Sequence, residues 1–156
     1  MVSAQKILTG AKKLAYQAIA RRDHTRSEMI EKLQKHGFEP EIVSSVIGEL
    51  EDRAYLDDQL FALNWAQKAV ERKQLGPLAL QRELELKGID PKIIRGVLQK
   101  ICEAVGEEQL AMKAIKKKRQ HARGSGSKAF RYLANYLARK GFTPEVIEKV
   151  LKNEVQ

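Results

Sequence analysis

The residue types that most often carry enzyme chemistry occur in this chain, but their spacing does not assemble a catalytic or metal site. Two carboxylates are adjacent and three histidines are scattered: Asp57, Asp58, His24, His36 and His121. Adjacent carboxylates at a helix start accept hydrogen bonds from free amide groups and interact favourably with the helix dipole, each effect being about 1 kcal/mol. We therefore predict a structural role for the two aspartates, no bound metal, no cofactor and no catalytic activity.

The distribution of charge indicates a binding function. The net charge is +9, from 29 Lys and Arg against 20 Asp and Glu. No acidic residue occurs between Gln109 and Pro144, a segment that holds ten basic residues, so the rest of the chain has 19 basic and 20 acidic residues. Such asymmetry predicts an acidic or polyanionic partner. Lys118 is one of the ten, and the other nine are our candidate partner-binding residues: Lys113, Lys116, Lys117, Arg119, Arg123, Lys128, Arg131, Arg139 and Lys140.

Four aromatic residues accompany these cations: Phe130, Tyr132, Tyr136 and Phe142. Aromatic side chains among cations can stack the bases of single-stranded nucleic acid. The alternative is that Tyr132 and Tyr136, four residues apart on a helix, pack against the protein, and that Phe142 packs at a helix corner. We favour the packing interpretation.

A motif that occurs three times indicates how the chain positions these residues. Each copy has a leucine, a glycine four residues later, then a large apolar residue, and a proline two residues after that, in residues 33–40, 84–91 and 137–144. Glycine accepts the left-handed conformation that ends a helix, and proline is favoured in a first helical turn. The apolar residue is placed to contact the fourth residue of the next helix. We interpret the three motifs as structural corners: Gly37 with Pro40, Gly88 with Pro91, and Gly141 with Pro144.

The corner glycines lie 51 and 53 residues apart, a period typical of helical repeats. Apolar residues at three- and four-residue spacing predict helices throughout. The predicted fold is therefore all-α, an elongated tandem array of three three-helix repeats. Their bounds are 1–54, which includes a leader helix frayed at Gly10, then 55–105, and the strongly basic 106–156. Asp57 is expected to cap the helix that opens the second repeat, with Leu56 contacting Phe61.

Other features restrict the class of protein. The longest run without charge, residues 59–67, has nine residues, whereas a membrane span needs about 20. The single cysteine, Cys102, lies on an apolar helical pattern and is expected to be a buried thiol in a reducing compartment. The third helices of the first two repeats carry acidic residues, which disfavours a DNA-reading helix-turn-helix: Glu39, Glu41, Glu49, Glu51 and Asp52 in the first, and Asp90 and Glu103 in the second. We expect a cytoplasmic monomer without a signal peptide.

The chain resembles the RecX family, bacterial regulatory proteins of the RecA recombinase. The resemblance covers nearly the whole chain in the correct order, and it is carried by residues 21–28, 55–58, 61–62, 76–77, 83–84, 87–89 and 137–142. There are two departures. Ala54 stands where the family usually has glycine, and no tryptophan occurs between Cys102 and Gln109, where the family often has one.

This resemblance implies an all-helical, non-enzymatic protein of tandem three-helix repeats. Its expected partner is the RecA filament, with DNA contacted as part of that filament and weakly alone. Binding in the filament groove would inhibit the ATPase, strand-exchange and coprotease activities of RecA, and so regulate recombinational DNA repair and the SOS response. The alternative is a general nucleic-acid-binding helical repeat protein that acts on DNA directly.

Overall fold

The computed structural model describes residues 3–119 and 126–155, and within these ranges the chain forms nine α-helices and no β-strand. The helices are α1 (Ala4–Arg21), α2 (Arg26–Lys35), α3 (Pro40–Asp52), α4 (Asp58–Lys73), α5 (Pro77–Leu86), α6 (Pro91–Ala104), α7 (Glu107–Arg119), α8 (Ser127–Lys140) and α9 (Pro144–Val155). The all-α prediction is confirmed. None of the helices in the described ranges has the length and apolar character that crossing a bilayer requires.

The first three helices enclose a core of their own. α1 contributes small side chains, and α2, α3 and the segment after α3 contribute larger ones that pack against them: Ala11, Ala15, Ala18, Met29, Leu33, Val43, Val46, Ile47, Leu50 and, after α3, Leu56. Contrary to expectation, α1 runs through Gly10 without a break. A glycine inside a helix costs only about 1 kcal/mol, which the packing of the buried alanines that follow it, Ala11, Ala15 and Ala18, can offset.

The remaining six helices share a second, continuous core. Its buried side chains come from every helix from α4 to α9, and include Ala66, Leu80, Ile94, Ile115 and Leu137. Three tandem units are therefore built on two cores. Leu56 is buried in the first core, whereas Phe61 packs against the second, and the contact that we expected between them stays a prediction.

All three corners have the same backbone geometry. Gly37, Gly88 and Gly141 have φ angles of 85°, 78° and 91°, in the left-handed region. The residue after each glycine donates its amide to the carbonyl five residues before it, at 3.2, 3.1 and 3.1 Å. This is the hydrogen bond of the Schellman motif, and the next helix begins at the following proline. The corners are thus helix ends of one defined type.

The second helices of successive repeats meet end to end. At the start of α2, the hydroxyls of Thr25 and Ser27 donate to the carbonyls of Lys87 and Gly88, at the end of α5, at 3.1 and 3.2 Å. Thr25 is fully buried, and its hydroxyl oxygen also accepts the amide of Glu28 as the N-cap of α2. The start of α5 meets the end of α8 in a similar way. These contacts join the repeats in the order α8, α5, α2.

Candidate partner-binding surface

Helix α7 presents lysines to solvent because its opposite face is apolar. Four of its side chains are buried in the second core: Leu110, Ala111, Ala114 and Ile115. Three of its lysines are exposed, and they lie on one face because they are three and four residues apart: Lys113, Lys116 and Lys117. The core contacts therefore determine which way these cations point.

The start of α7 is fixed by acidic residues. Glu107 accepts hydrogen bonds from the amide and the hydroxyl of Thr143 at 2.8 and 2.9 Å, and Glu108 forms a 2.7 Å salt bridge with Lys149. Carboxylates at the start of α7 and cations in its last turn both interact favourably with the helix dipole. The carboxylates tie α7 to the start and middle of α9.

The predicted cations of α8 fall into two groups. Lys128, Arg131 and Arg139 are exposed. Lys140, by contrast, donates from Nζ to the carbonyl oxygen of Lys73 at 2.8 Å, and its ammonium lies 5.7 Å from the centre of the Tyr136 ring. Its charge therefore interacts within the protein, and no pattern in the sequence predicts this contact between distant residues.

The Tyr136 ring also lies 5.3 Å from the ammonium of Lys118, so it is contacted by cations from two helices. Tyr136 and Phe142 are buried, whereas Phe130 and Tyr132 are 38% and 37% exposed. The packing interpretation therefore describes Tyr136 and Phe142. Phe130 and Tyr132 remain accessible beside the cations of α8.

The nine candidate residues do not form one cluster. Lys113, Lys116 and Lys117 occupy one face of α7 and line a groove against α4, and Arg119 is exposed at the end of α7. Lys128 and Arg131 lie in the first half of α8 and do not line that groove. Arg123, like His121, lies outside the described residues.

The paired aspartates lie at the boundary between the two cores. Asp57 accepts the amide of Leu60 at 3.1 Å as the N-cap of α4, and Asp58 accepts the amide of Arg26 at 2.9 Å. Burial raises the pKa of the Asp58 carboxyl, although the hydrogen bond from the Arg26 amide opposes this shift. Both carboxylates thus have backbone partners, one of them across the boundary between the first and second repeats.

Metal binding and thiol reactivity depend on the positions of the other titratable side chains. Within the described ranges, no three His, Cys, Asp or Glu side chains are grouped closely enough to hold a metal ion. Cys102 is partly exposed, so the prediction of a fully buried thiol was wrong. Burial, and then the charge of Glu107, raise the pKa of its thiol, which disfavours the reactive thiolate.

The chain matches models of known domains along most of its length. Residues 11–50 match the first three-helix domain of RecX, residues 57–98 the second, and residues 106–151 the third. It is 28% identical over 148 residues to "Regulatory protein RecX" of Amycolatopsis mediterranei (strain U-32), covering 94% of this chain and 83% of the relative. The protein of the same name from Halorhodospira halophila (strain DSM 244 / SL1) is 31% identical over 135 residues, covering 85% and 81%.

A solved structure has the same fold. The crystal structure of RecX from Lactobacillus salivarius superposes with a TM-score of 0.85 and covers 97% of both chains, at 19% sequence identity. The similarity extends over the tandem three-helix arrangement as a whole, including the basic third unit.

Proposed function

Because this chain belongs to the RecX family of regulatory proteins, we propose that it is a non-enzymatic modulator of the RecA recombinase. In this proposal it binds in the groove of the RecA–DNA filament and inhibits the ATPase, strand-exchange and coprotease activities of RecA. It would thereby restrain recombinational DNA repair and the SOS response.

The observation that carries the proposal is the position of the positive charge. The acid-free segment between Gln109 and Pro144 holds ten basic residues, nine of which lie on α7 and α8 in the described ranges. A charged surface of one sign accelerates association with a surface of the opposite sign and orients the encounter. The phosphates of the DNA in a RecA–DNA filament supply such a negatively charged surface.

The repeat architecture supports the same proposal. Three units joined through α8, α5 and α2 can contact more than one protomer of a filament. Linked contacts raise the overall affinity even when each contact is weak, because the second and third binding events become intramolecular. The protein is therefore expected to inhibit RecA at substoichiometric concentrations.

The proposal is tested by titrating the protein into RecA bound to single-stranded DNA and measuring ATP hydrolysis. We expect hydrolysis to fall at substoichiometric protein, and no effect at equimolar protein would refute the proposal. The double variant Lys116→Glu, Lys117→Glu should lose most of the inhibition. Its matched control is Lys92→Glu, Lys100→Glu, which reverses two exposed lysines on α6 and should inhibit like the unmodified protein.

One observation favours the alternative of direct nucleic-acid binding. Phe130 and Tyr132 are exposed on α8 next to Lys128 and Arg131, an arrangement that suits base stacking beside phosphate contacts. This alternative predicts tight binding to bare single-stranded DNA, with an affinity that falls steeply with salt. Weak binding to bare DNA at physiological salt, with filament binding retained, would exclude it.

A further inference from the structure

A groove lies between the end of α4 and the exposed face of α7. It has a volume of about 330 Å³. Its lining combines aliphatic side chains with lysines: Val70, Glu71, Gln74, Leu75, Leu110, Lys113, Lys116 and Lys117. Three of the candidate partner-binding residues therefore line one side of a concave surface.

The floor of the groove is apolar. Val70 and Leu75 are half-buried against the second core, and Leu110 beside them is buried. Leu75 takes this position because α4 ends at Gln74 in the left-handed conformation, with a φ angle of 52°. The turn brings the chain back over the last residues of α4. Accessible aliphatic surface in a concave site favours an apolar ligand group.

The rim of the groove is positively charged. Lys113, Lys116 and Lys117 are exposed, and none of them forms a salt bridge with a residue in the described part of the chain. Among the described residues that line the groove, Glu71 is the single carboxylate. Three positive charges against one negative charge leave the groove with an excess of two positive charges. An occupant with several carboxylates would complement this charge.

We propose that this groove binds an acidic peptide segment that carries an aliphatic or aromatic side chain. Carboxylates of the segment pair with the three lysines, and its apolar side chain covers Val70 and Leu75. Nucleic acid fits less well, since phosphates would meet the lysines but leave the aliphatic floor without an apolar partner. The inference rests on the proposed function in one respect: it names the chemistry of the partner segment that the basic surface contacts.

The test uses short fluorescein-labelled peptides of glutamate and aspartate and measures binding by fluorescence anisotropy. One peptide has two central leucines, and its partner peptide has serine at both positions. We expect the leucine peptide to bind about tenfold more tightly, as burial of one or two aliphatic side chains allows. It should also shift the methyl NMR signals of Val70 and Leu75. Because the peptide is changed, the core of the protein stays intact.

The rim is tested with the triple variant Lys113→Glu, Lys116→Glu, Lys117→Glu, in which only exposed residues change. Its matched control, Lys13→Glu, Lys92→Glu, Lys100→Glu, has the same net charge and also changes exposed lysines. We expect the rim variant to bind the leucine peptide at least about tenfold more weakly and the control to bind within about twofold of the unmodified protein.

Three results would overturn the inference: equal binding of the serine and leucine peptides, equal binding by the rim and control variants, or tighter binding of a single-stranded oligonucleotide that shifts the same methyl signals. The ATPase titration separates this inference from the proposed function. If the leucine peptide binds as expected but RecA is not inhibited, the proposed function fails and the groove stands as a peptide site. If RecA is inhibited but the peptide does not bind, only the groove inference fails.

Discussion

The backbone amide of Gly76 donates a 2.7 Å hydrogen bond to the carbonyl oxygen of Lys140, 64 residues later in the chain. The amide of Leu78 donates to the next carbonyl, that of Gly141, at 2.9 Å. At the other joint, the equivalent carbonyls of Lys87 and Gly88 accept from hydroxyls. The same two corner positions thus serve both joints, and each joint satisfies helix-end groups that would otherwise lack partners.

The first prediction concerns the close approach at the α5–α8 joint. A Cβ atom on Gly141 would lie 2.4 Å from the Cβ and the backbone nitrogen of Ala79, whereas one on Gly37 would meet nothing within 4 Å. Both glycines have left-handed φ angles, so alanine carries a conformational cost of about 1–2 kcal/mol at either position. Gly141→Ala should cost a further ~1–3 kcal/mol from overpacking.

Urea denaturation of the two variants gives the two free energies of unfolding. Since Gly37→Ala controls for the backbone conformation, the difference between the two free energies measures the cost of overpacking at the α5–α8 joint. Equal losses of stability would mean that the joint adjusts to a methyl group without cost, contrary to this prediction.

The second prediction concerns Ala54, which follows α3 with a φ angle of 61°. Its amide donates to the carbonyl of Glu51 at 3.0 Å, so the position behaves as a helix end that favours glycine. Ala54→Gly should raise the free energy of unfolding by roughly 1 kcal/mol, because the left-handed conformation is strained for alanine. The control Ala138→Gly, at an exposed position inside α8, should lower it by about 0.5–1 kcal/mol. Thermal denaturation of both variants checks the opposite signs.

These positions show what the sequence could predict. The corners depend on residues within five positions of each other, so the glycine, its apolar neighbour and the proline suffice to define them. Position 54 was singled out by the resemblance to the family, which usually has glycine there, and not by local spacing. The joint between Gly76 and Lys140 and the groove between α4 and α7 join distant segments, and no local spacing encodes such contacts. For this reason the sequence predicts a group of partner-binding cations, but it does not predict that Lys140 donates a hydrogen bond to the carbonyl of Lys73.

The third prediction is that the free energy of unfolding depends on pH through Glu49, which lies on α3 in the first repeat. The pKa of the Glu49 carboxyl lies below its ordinary value, chiefly because of its interaction with Lys12 at 3.2 Å and then the hydrogen bond from the Tyr16 hydroxyl at 3.1 Å. A carboxyl with a lowered folded-state pKa stabilises the fold above its unfolded-state pKa, about 4.3 for glutamate, and this contribution is lost as the pH falls through the folded-state value. Glu49→Gln should therefore be less stable than the unmodified protein at neutral pH.

The difference in stability between Glu49→Gln and the unmodified protein should shrink as the pH is lowered below the ordinary pKa of a glutamate. Urea denaturation across a pH series measures this difference. Glu39→Gln is the matched control, since Glu39 is exposed and forms no side-chain capping hydrogen bond. A difference for Glu49→Gln that stays constant with pH would show that the charge on Glu49 is not what stabilises the contact between α1 and α3.

The fourth prediction distinguishes the roles of Arg139 and Lys140, two adjacent residues that the sequence analysis placed together among the partner-binding candidates. Lys140 donates to the carbonyl of Lys73 and lies over the Tyr136 ring, whereas Arg139 is exposed. Lys140→Ala should lower the free energy of unfolding by about 1 kcal/mol and leave inhibition of the RecA ATPase unchanged at a temperature where the variant is folded. Arg139→Glu should leave stability within about 0.5 kcal/mol and raise the concentration needed for inhibition by about threefold or more. If Lys140→Ala weakens inhibition without lowering stability, Lys140 contacts the partner directly and its internal contacts contribute little.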